Sequence, residues 1–218
     1  MKLLFSTRFL AVVLTATLAG CQAKPEKKAF DTFNEGVALS LRAAGLTDTA
    51  QARPLERQAI GKYQETLGLD STHRLVRSAL GHSYYLLDKY PQAITWFEAS
   101  NKVDTASAPS YRELGLSRIS QGDIQQGWAD LQKAFRLAPG SDIKAVTADD
   151  LYNLGRRAFA YGEAYAAGGE AGKGTAYQKY AVSVLQMAYS TDPTRKDVAQ
   201  TLADLAARTT ALSASKKP

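Results

Sequence analysis

Residues 79–100 read ALGHSYYLLDKYPQAITWFEAS, and residues 113–134 read ELGLSRISQGDIQQGWADLQKA. Laid one above the other they share a rhythm, because Leu80-Gly81 recurs as Leu114-Gly115, 34 residues later. Take Arg74 as position 1 of one unit (74–107) and Ala108 as position 1 of the next (108–141). Position 4 then holds Arg77 and Tyr111, position 7 Leu80 and Leu114, and position 8 Gly81 and Gly115. Position 20 holds Ala93 and Gly127, position 24 Phe97 and Leu131, position 27 Ser100 and Ala134, and position 32 Thr105 and Pro139. Small residues at positions 8, 20 and 27 let two antiparallel helix backbones approach, and larger ones at 7 and 24 fill the remaining space. The breaks fall between those helices. Asp88-Lys89-Tyr90-Pro91 offers a proline for a first helical turn, and Gln121-Gly122-Asp123 interrupts the second unit.

The pattern resembles the tetratricopeptide repeat (TPR), which asks for a large residue, Leu, Gly, Tyr, Ala, Phe, Ala and Pro at these places. The resemblance implies an all-α fold, a solenoid of about four helix pairs in which neighbouring units bury each other's apolar faces. Two outer units fit less fully. In the stretch of about 148–195, Leu151, Leu154 and Gly155 open a unit whose second helix carries Ala181, Leu185, Ala188 and Pro193. Its halves are 14 residues out of phase, so an insertion is expected between Tyr161 and Tyr180. In the stretch of about 29–73, Asn34-Glu35-Gly36 fits a first helix and Ala59 with Tyr63 a second, with extra residues around Leu46–Pro54. Residues 194–212, with Val198, Leu202, Leu205 and Ala206 at helical spacing, read as a capping helix. Residues 213–218 read as a tail without a fold.

Ahead of the solenoid the chain reads as an address. Lys2 and Arg8 supply a positive n-region, and Phe9 to Leu18 a short apolar core, so residues 1–20 are expected to be a secretory signal peptide. Arg8, Ser6 and Thr7 shorten the apolar run below what a spanning helix needs. Leu18-Ala19-Gly20-Cys21 resembles the lipobox of bacterial lipoproteins. That implies cleavage between Gly20 and Cys21, diacylation of the Cys21 thiol and acylation of the new amino group. Residues 21–28 would form a lipidated tether. Gln22 stands where the inner-membrane retention signal of that family has Asp, which points to the periplasmic face of an outer membrane.

Composition narrows the function. A chain of 218 residues with 45% hydrophobic and 22% charged residues is not disordered throughout. Setting aside Lys2 and Arg8 leaves 25 basic residues against 21 acidic ones, scattered along the chain, so no nucleic-acid partner is expected. Cys21 is the sole cysteine, which excludes an intramolecular disulfide and a cysteine-based zinc site.

No catalytic constellation emerges. Gly168-Gly169-Glu170-Ala171-Gly172-Lys173-Gly174-Thr175 has the look of a phosphate loop, but the first required glycine falls on Ala167, and Gly174 follows the lysine. A turn between two lengthened helices is the expectation there. His73 and His82 are nine residues apart, too far for a shared i, i+4 metal face; His73 is expected at an exposed helix start. Asp123, Asp149 and Asp150 read as helix-start carboxylates. Neither metal nor cofactor is expected.

What remains is the concave groove. In repeats of this family positions 2, 5, 9 and 12 of each first helix face it. Here they bring Ser78, His82 and Tyr85 from one unit, Arg112, Leu116 and Ile119 from the next, and Tyr152, Arg156 and Phe159 from the third, with Phe33 and Val37 upstream. Apolar and aromatic surface with exposed arginines suits a protein partner, a peptide or helix that is apolar with an acidic residue. The expectation is a membrane-anchored periplasmic scaffold that binds protein partners in the assembly of an envelope machine such as a pilus, a secretion system or the outer membrane. A glycan- or small-molecule-binding lipoprotein is the first alternative, and a lipoprotein hydrolase the second.

Overall fold

The computed structural model describes residues 24–140 and 142–214. The expected signal peptide, the expected cleavage site at Gly20 and Cys21, and residues 215–218 lie outside the described residues. The chain folds as α1 (Pro25–Ala44), α2 (Thr49–Leu69), α3 (Val76–Leu86), α4 (Tyr90–Val103), α5 (Ala108–Gln121), α6 (Ile124–Leu137), α7 (Ile143–Ala167), α8 (Ala171–Thr191) and α9 (Lys196–Ala214). These pair as α1–α2, α3–α4, α5–α6 and α7–α8, with α9 packed on α8. The chain is an all-α, TPR-like solenoid of four helix pairs closed by a capping helix.

Local chemistry sets the helix ends. The side chains of Asp48, Ser107 and Asp123 accept hydrogen bonds from the amides of Ala50, Ser110 and Gln126, satisfying donors that a helix start leaves free. Pro91 and Pro109 sit in first turns, where a missing N–H costs nothing. Gly122 ends α5 at φ 100, a left-handed conformation that a side chain would strain.

The position-8 glycines decide the packing. A Cβ built on Gly81 would lie 2.7 Å from the Phe97 ring, and one on Gly155 2.7 Å from Leu185. On Gly115 it would meet the Gly127 carbonyl oxygen at 2.7 Å and Leu131 at 2.9 Å. Gly36 repeats the arrangement, with the Tyr63 ring 2.5 Å away, so all four pairs close on the same contact. Around these contacts Leu80, Ala93, Phe97, Leu131, Ala181 and Leu185 are at most 1% exposed, and Leu114 is 3%. Burying a side chain of the size of Phe97 or Leu131 contributes roughly 2–3 kcal/mol. Leu154 is half-buried at the edge of the cluster of Leu151, Val184 and Val198.

The outer pairs take up their extra residues within their helices, with a turn at Gly168–Glu170 as the sequence led one to expect. Between Tyr161 and Tyr180 the insertion lengthens both helices of a hairpin, to 25 residues in α7 and 21 in α8, with Gly168-Gly169-Glu170 as its turn. Upstream, α2 begins at Thr49 and runs through Pro54. It is held there because Arg53 donates to the Leu87 carbonyl and pairs with Asp88 at 2.8 Å. At the other end, helix begins at Pro25, so residues 25–28, expected within the tether, belong to α1. Ser213 and Ala214, expected in the tail, lie in α9.

Alternation along the chain gives the solenoid two edges. The near edge gathers the starts of α1, α3, α5, α7 and α9 with the ends of α2, α4, α6 and α8. Arg74 at the start of α3 pairs with Asp104 at the end of α4 at 2.8 Å, and Arg195 before α9 pairs with Asp149 of α7. The far edge carries the four hairpin turns.

Candidate functional site

Three troughs lie along the first helices of the pairs, the middle one also walled by the start of α2. One of about 480 Å³ lies over α1, α3 and α5, walled by Val37, Leu41, Ser78, His82 and Glu113. His82 also walls a second, of about 610 Å³, with Leu46, Ala52, Glu56, Tyr85 and Arg157. Tyr85 and Arg157 in turn border a third, of about 620 Å³, with Asp150, Asn153 and Arg156. Shared walls join the three into one surface, apolar over α1 and α3 and basic over α7. Arg156 and Arg157 are exposed and make no ion pair among the described residues.

The expected groove residues divide. His82, Tyr85 and Arg156 line the joined troughs. Leu116 and Ile119 do not: at 1% and 0% exposed they pack with Leu151, Val184 and Val198 in one cluster. The long α7–α8 hairpin closes over α5 and takes up that face, and the Tyr180 hydroxyl donates to the Ile119 carbonyl oxygen at 2.7 Å. Arg112 is no free cation either. Its Nε donates to Thr147 Oγ1 at 3.1 Å, its guanidinium pairs with Asp150, and its side chain is only 14% exposed. It joins α5 to α7.

Tyr152 and Phe159 turn toward the capping helix. The Tyr152 hydroxyl lies 3.2 Å from Thr201 Oγ1, with Arg156 and Arg195 over its ring at 5.5 and 5.3 Å. Phe159 and Arg156 border a cleft of about 250 Å³ with Thr201, Asp204 and Leu205 of α9. That helix stands where the first helix of a fifth unit would, so this end of the groove is covered.

Two further sequence expectations shift. Asp149 and Asp150 lie inside α7, which begins at Ile143, and both serve as partners for arginines. His73 is half-buried in the turn before α3, its ring 4.5 Å from that of Phe33.

The structure also brings in groups the repeat pattern did not single out. Glu56 is 2% exposed; Ser40 donates to its Oε2 at 2.8 Å, while Oε1 has no partner among the described residues. Glu113 pairs with His82, 2.9 Å from Nδ1. Arg157 extends the cationic end; the repeat positions passed over it, and only its adjacency to Arg156 in the sequence could have marked it.

The His82–Glu113 pair makes the trough responsive to pH. The Glu113 carboxylate, hydrogen-bonded to the imidazole, holds the His82 pKa above its ordinary 6.5, against an opposing effect of burial. A pKa raised by folding gives stability that is full below about pH 6.5 and is lost as the pH rises through the folded value. With the His82 side chain 44% exposed, the contribution stays below about 1 kcal/mol. Melting temperature should therefore fall from about pH 6 to about pH 8 more steeply in the wild type than in His82→Gln. Equal slopes would remove the pair from the account.

No protein-family model matches the chain, and no curated protein matches it. Among solved structures, MamA aligns over 75% of this chain and 85% of its own at 20% identity, with a TM-score of 0.42. A TPR repeats protein from Bacteroides fragilis aligns over 83% of this chain and 98% of its own at 19% identity, with a TM-score of 0.40. The solenoid assignment rests on the helix pairing and glycine contacts of the chain itself.

Proposed function

We propose that this chain is a lipid-anchored scaffold at the periplasmic face of an outer membrane, which holds a segment of a protein partner along its joined troughs in the assembly of an envelope machine. The observation that carries the reading is the continuity of the three troughs across α1, α3 and α7. An open surface of that length suits an extended peptide or a helix, whereas a small molecule is usually held in a single enclosed pocket. Leu41 at 68% exposed and Val37 offer apolar contact at one end, and Arg156 and Arg157, in no ion pair among the described residues, offer charge at the other. The partner segment is therefore apolar with an acidic group near one end. Cys21, in its lipobox-like setting, supplies the anchor in this reading, and no helix among the described residues is long and apolar enough to cross a membrane.

The test follows from the placement of the arginines. Arg156→Ala with Arg157→Ala should weaken partner capture about tenfold or more while leaving the melting curve in place, since both side chains are exposed. Arg112→Ala should instead destabilise the fold, by about 1–3 kcal/mol, because Asp150 and Thr147 lose their donor. A partner bound at wild-type strength by the Arg156/Arg157 variant would remove the basic end of the trough from the site.

A further inference from the structure

We infer that the near edge of the solenoid is a second membrane contact, which lies against an anionic lipid surface beside the acyl anchor. The inference rests on the lipidation proposed for Cys21, and on where α1 begins. From Cys21 to Pro25, the first residue of α1, the chain can span at most about 14 Å. Any lipid on Cys21 thus holds the start of α1 at the level of the headgroups and brings the near edge, where α3, α5, α7 and α9 also start, within reach of them. The far edge, with the extended α7–α8 turn, is held away from them by the length of the helices.

The near edge has the chemistry for that position. Phe30, Leu75, Val103, Leu137 and Val146 are exposed there, at 59%, 56%, 55%, 38% and 49%. They come from five different helices or their caps, so together they border the edge rather than one helix face. Between them stand Lys24, Lys27, Lys28, Lys102, Arg136 and Lys144, all exposed and in no ion pair among the described residues. Of the acids on this edge, Asp104 pairs with Arg74, and Asp149 and Asp197 with Arg195, while Glu26, Asp31 and Asp142 stand exposed among the cations and leave the edge only a small positive excess. Apolar side chains that enter the interface, flanked by unpaired cations, are what a headgroup layer of negative charge attracts. Near an anionic surface each cation adds attraction that fades within a Debye length, so the cations act when the edge lies against the headgroups.

The experiment uses the complete chain carrying Cys21→Ser, so that its outcome does not depend on lipid attachment. Co-sedimentation is measured with vesicles of one part phosphatidylglycerol to two parts phosphatidylcholine, and with pure phosphatidylcholine. The unlipidated chain should sediment with the anionic vesicles and not with the neutral ones, and should be released by high salt. Reversing Lys102, Arg136 and Lys144 to glutamate should weaken partitioning about tenfold or more. Reversing Arg42, Lys89 and Lys173, exposed on or toward the far edge, should leave it within about twofold. Val103→Ser with Leu137→Ser, which removes no charge, should weaken it as well, and circular dichroism checks that each variant is folded. No sedimentation of the unlipidated chain, or equal losses from the two charge reversals, would overturn the inference. The acyl mass of the native protein tests the anchor separately, so failure of the edge and failure of the anchor are distinguished.

Discussion

Gly115→Leu should unfold the middle of the solenoid. The new side chain would start 2.7 Å from a backbone oxygen, that of Gly127, and 2.9 Å from Leu131, which is fully buried. A flexible side chain can move aside, but a helix backbone can give way only by separating α5 from α6. The cost is about 3 kcal/mol or more, at or beyond the upper end for overpacked cores. Stability in this architecture passes from unit to unit, so the loss should spread to both neighbours. Gly61 is the internal comparison: it lies in α2 with nothing within 4 Å of its Cβ site. Gly61→Ala should raise stability, by roughly 0.5–1 kcal/mol, through helix propensity alone. Urea melts of the two variants should therefore move in opposite directions. An unchanged melt for Gly115→Leu would mean that the 34-residue register is wrong.

Cys21→Ser should move the protein out of the membrane fraction. Two or three acyl chains hold far more firmly than one, at ~0.8 kcal/mol for each buried CH₂. Without them only the near-edge contact would remain, and a salt wash should release what still adheres. Fractionation of cells in low and then high salt, with the mass of the N-terminal peptide, reads both effects. Wild-type protein found soluble, without acyl mass, would remove the anchor and with it the outer-membrane placement.

The fold was legible in the sequence because its signal is steric. Gly81, Gly115 and Gly155 mark where two backbones touch; Phe97 and Leu131 stand one helix later at the same distance in the chain, and Leu185 stands 14 residues further on because of the insertion. The same spacing was blind to helix length. It shows only that the halves around Tyr161–Tyr180 are out of phase; the expectation of two longer helices came from the glycine-rich stretch at 168–174, which offers one turn. The groove was legible only in part, since position 9 or 12 names a direction and not what lies there. At His82 and Tyr85 that direction is open trough. At Leu116 and Ile119 it is filled by the α7–α8 hairpin, and at Tyr152 and Phe159 by α9. Arg112 read as a free cation because Asp150, its partner, stands 38 residues away and meets it only when α5 packs on α7. Glu56 gave no signal at all, because Ser40, its partner, stands on the facing helix and meets it only when α1 packs on α2.

The central claim is that the joined troughs hold a protein. Its most direct measurement is photocrosslinking in intact cells, with the reactive residue placed in turn at Val37, Ser78 and Asn153 in the troughs and at Gln92, Thr95 and Gln132 on the second helices. Gln92, Thr95 and Gln132 are exposed, so contact there is open to any partner that uses the other face. The account predicts one protein adduct common to the three trough positions, and none from the second helices. Adducts confined to the second helices, or trough positions that react with no protein, would contradict it.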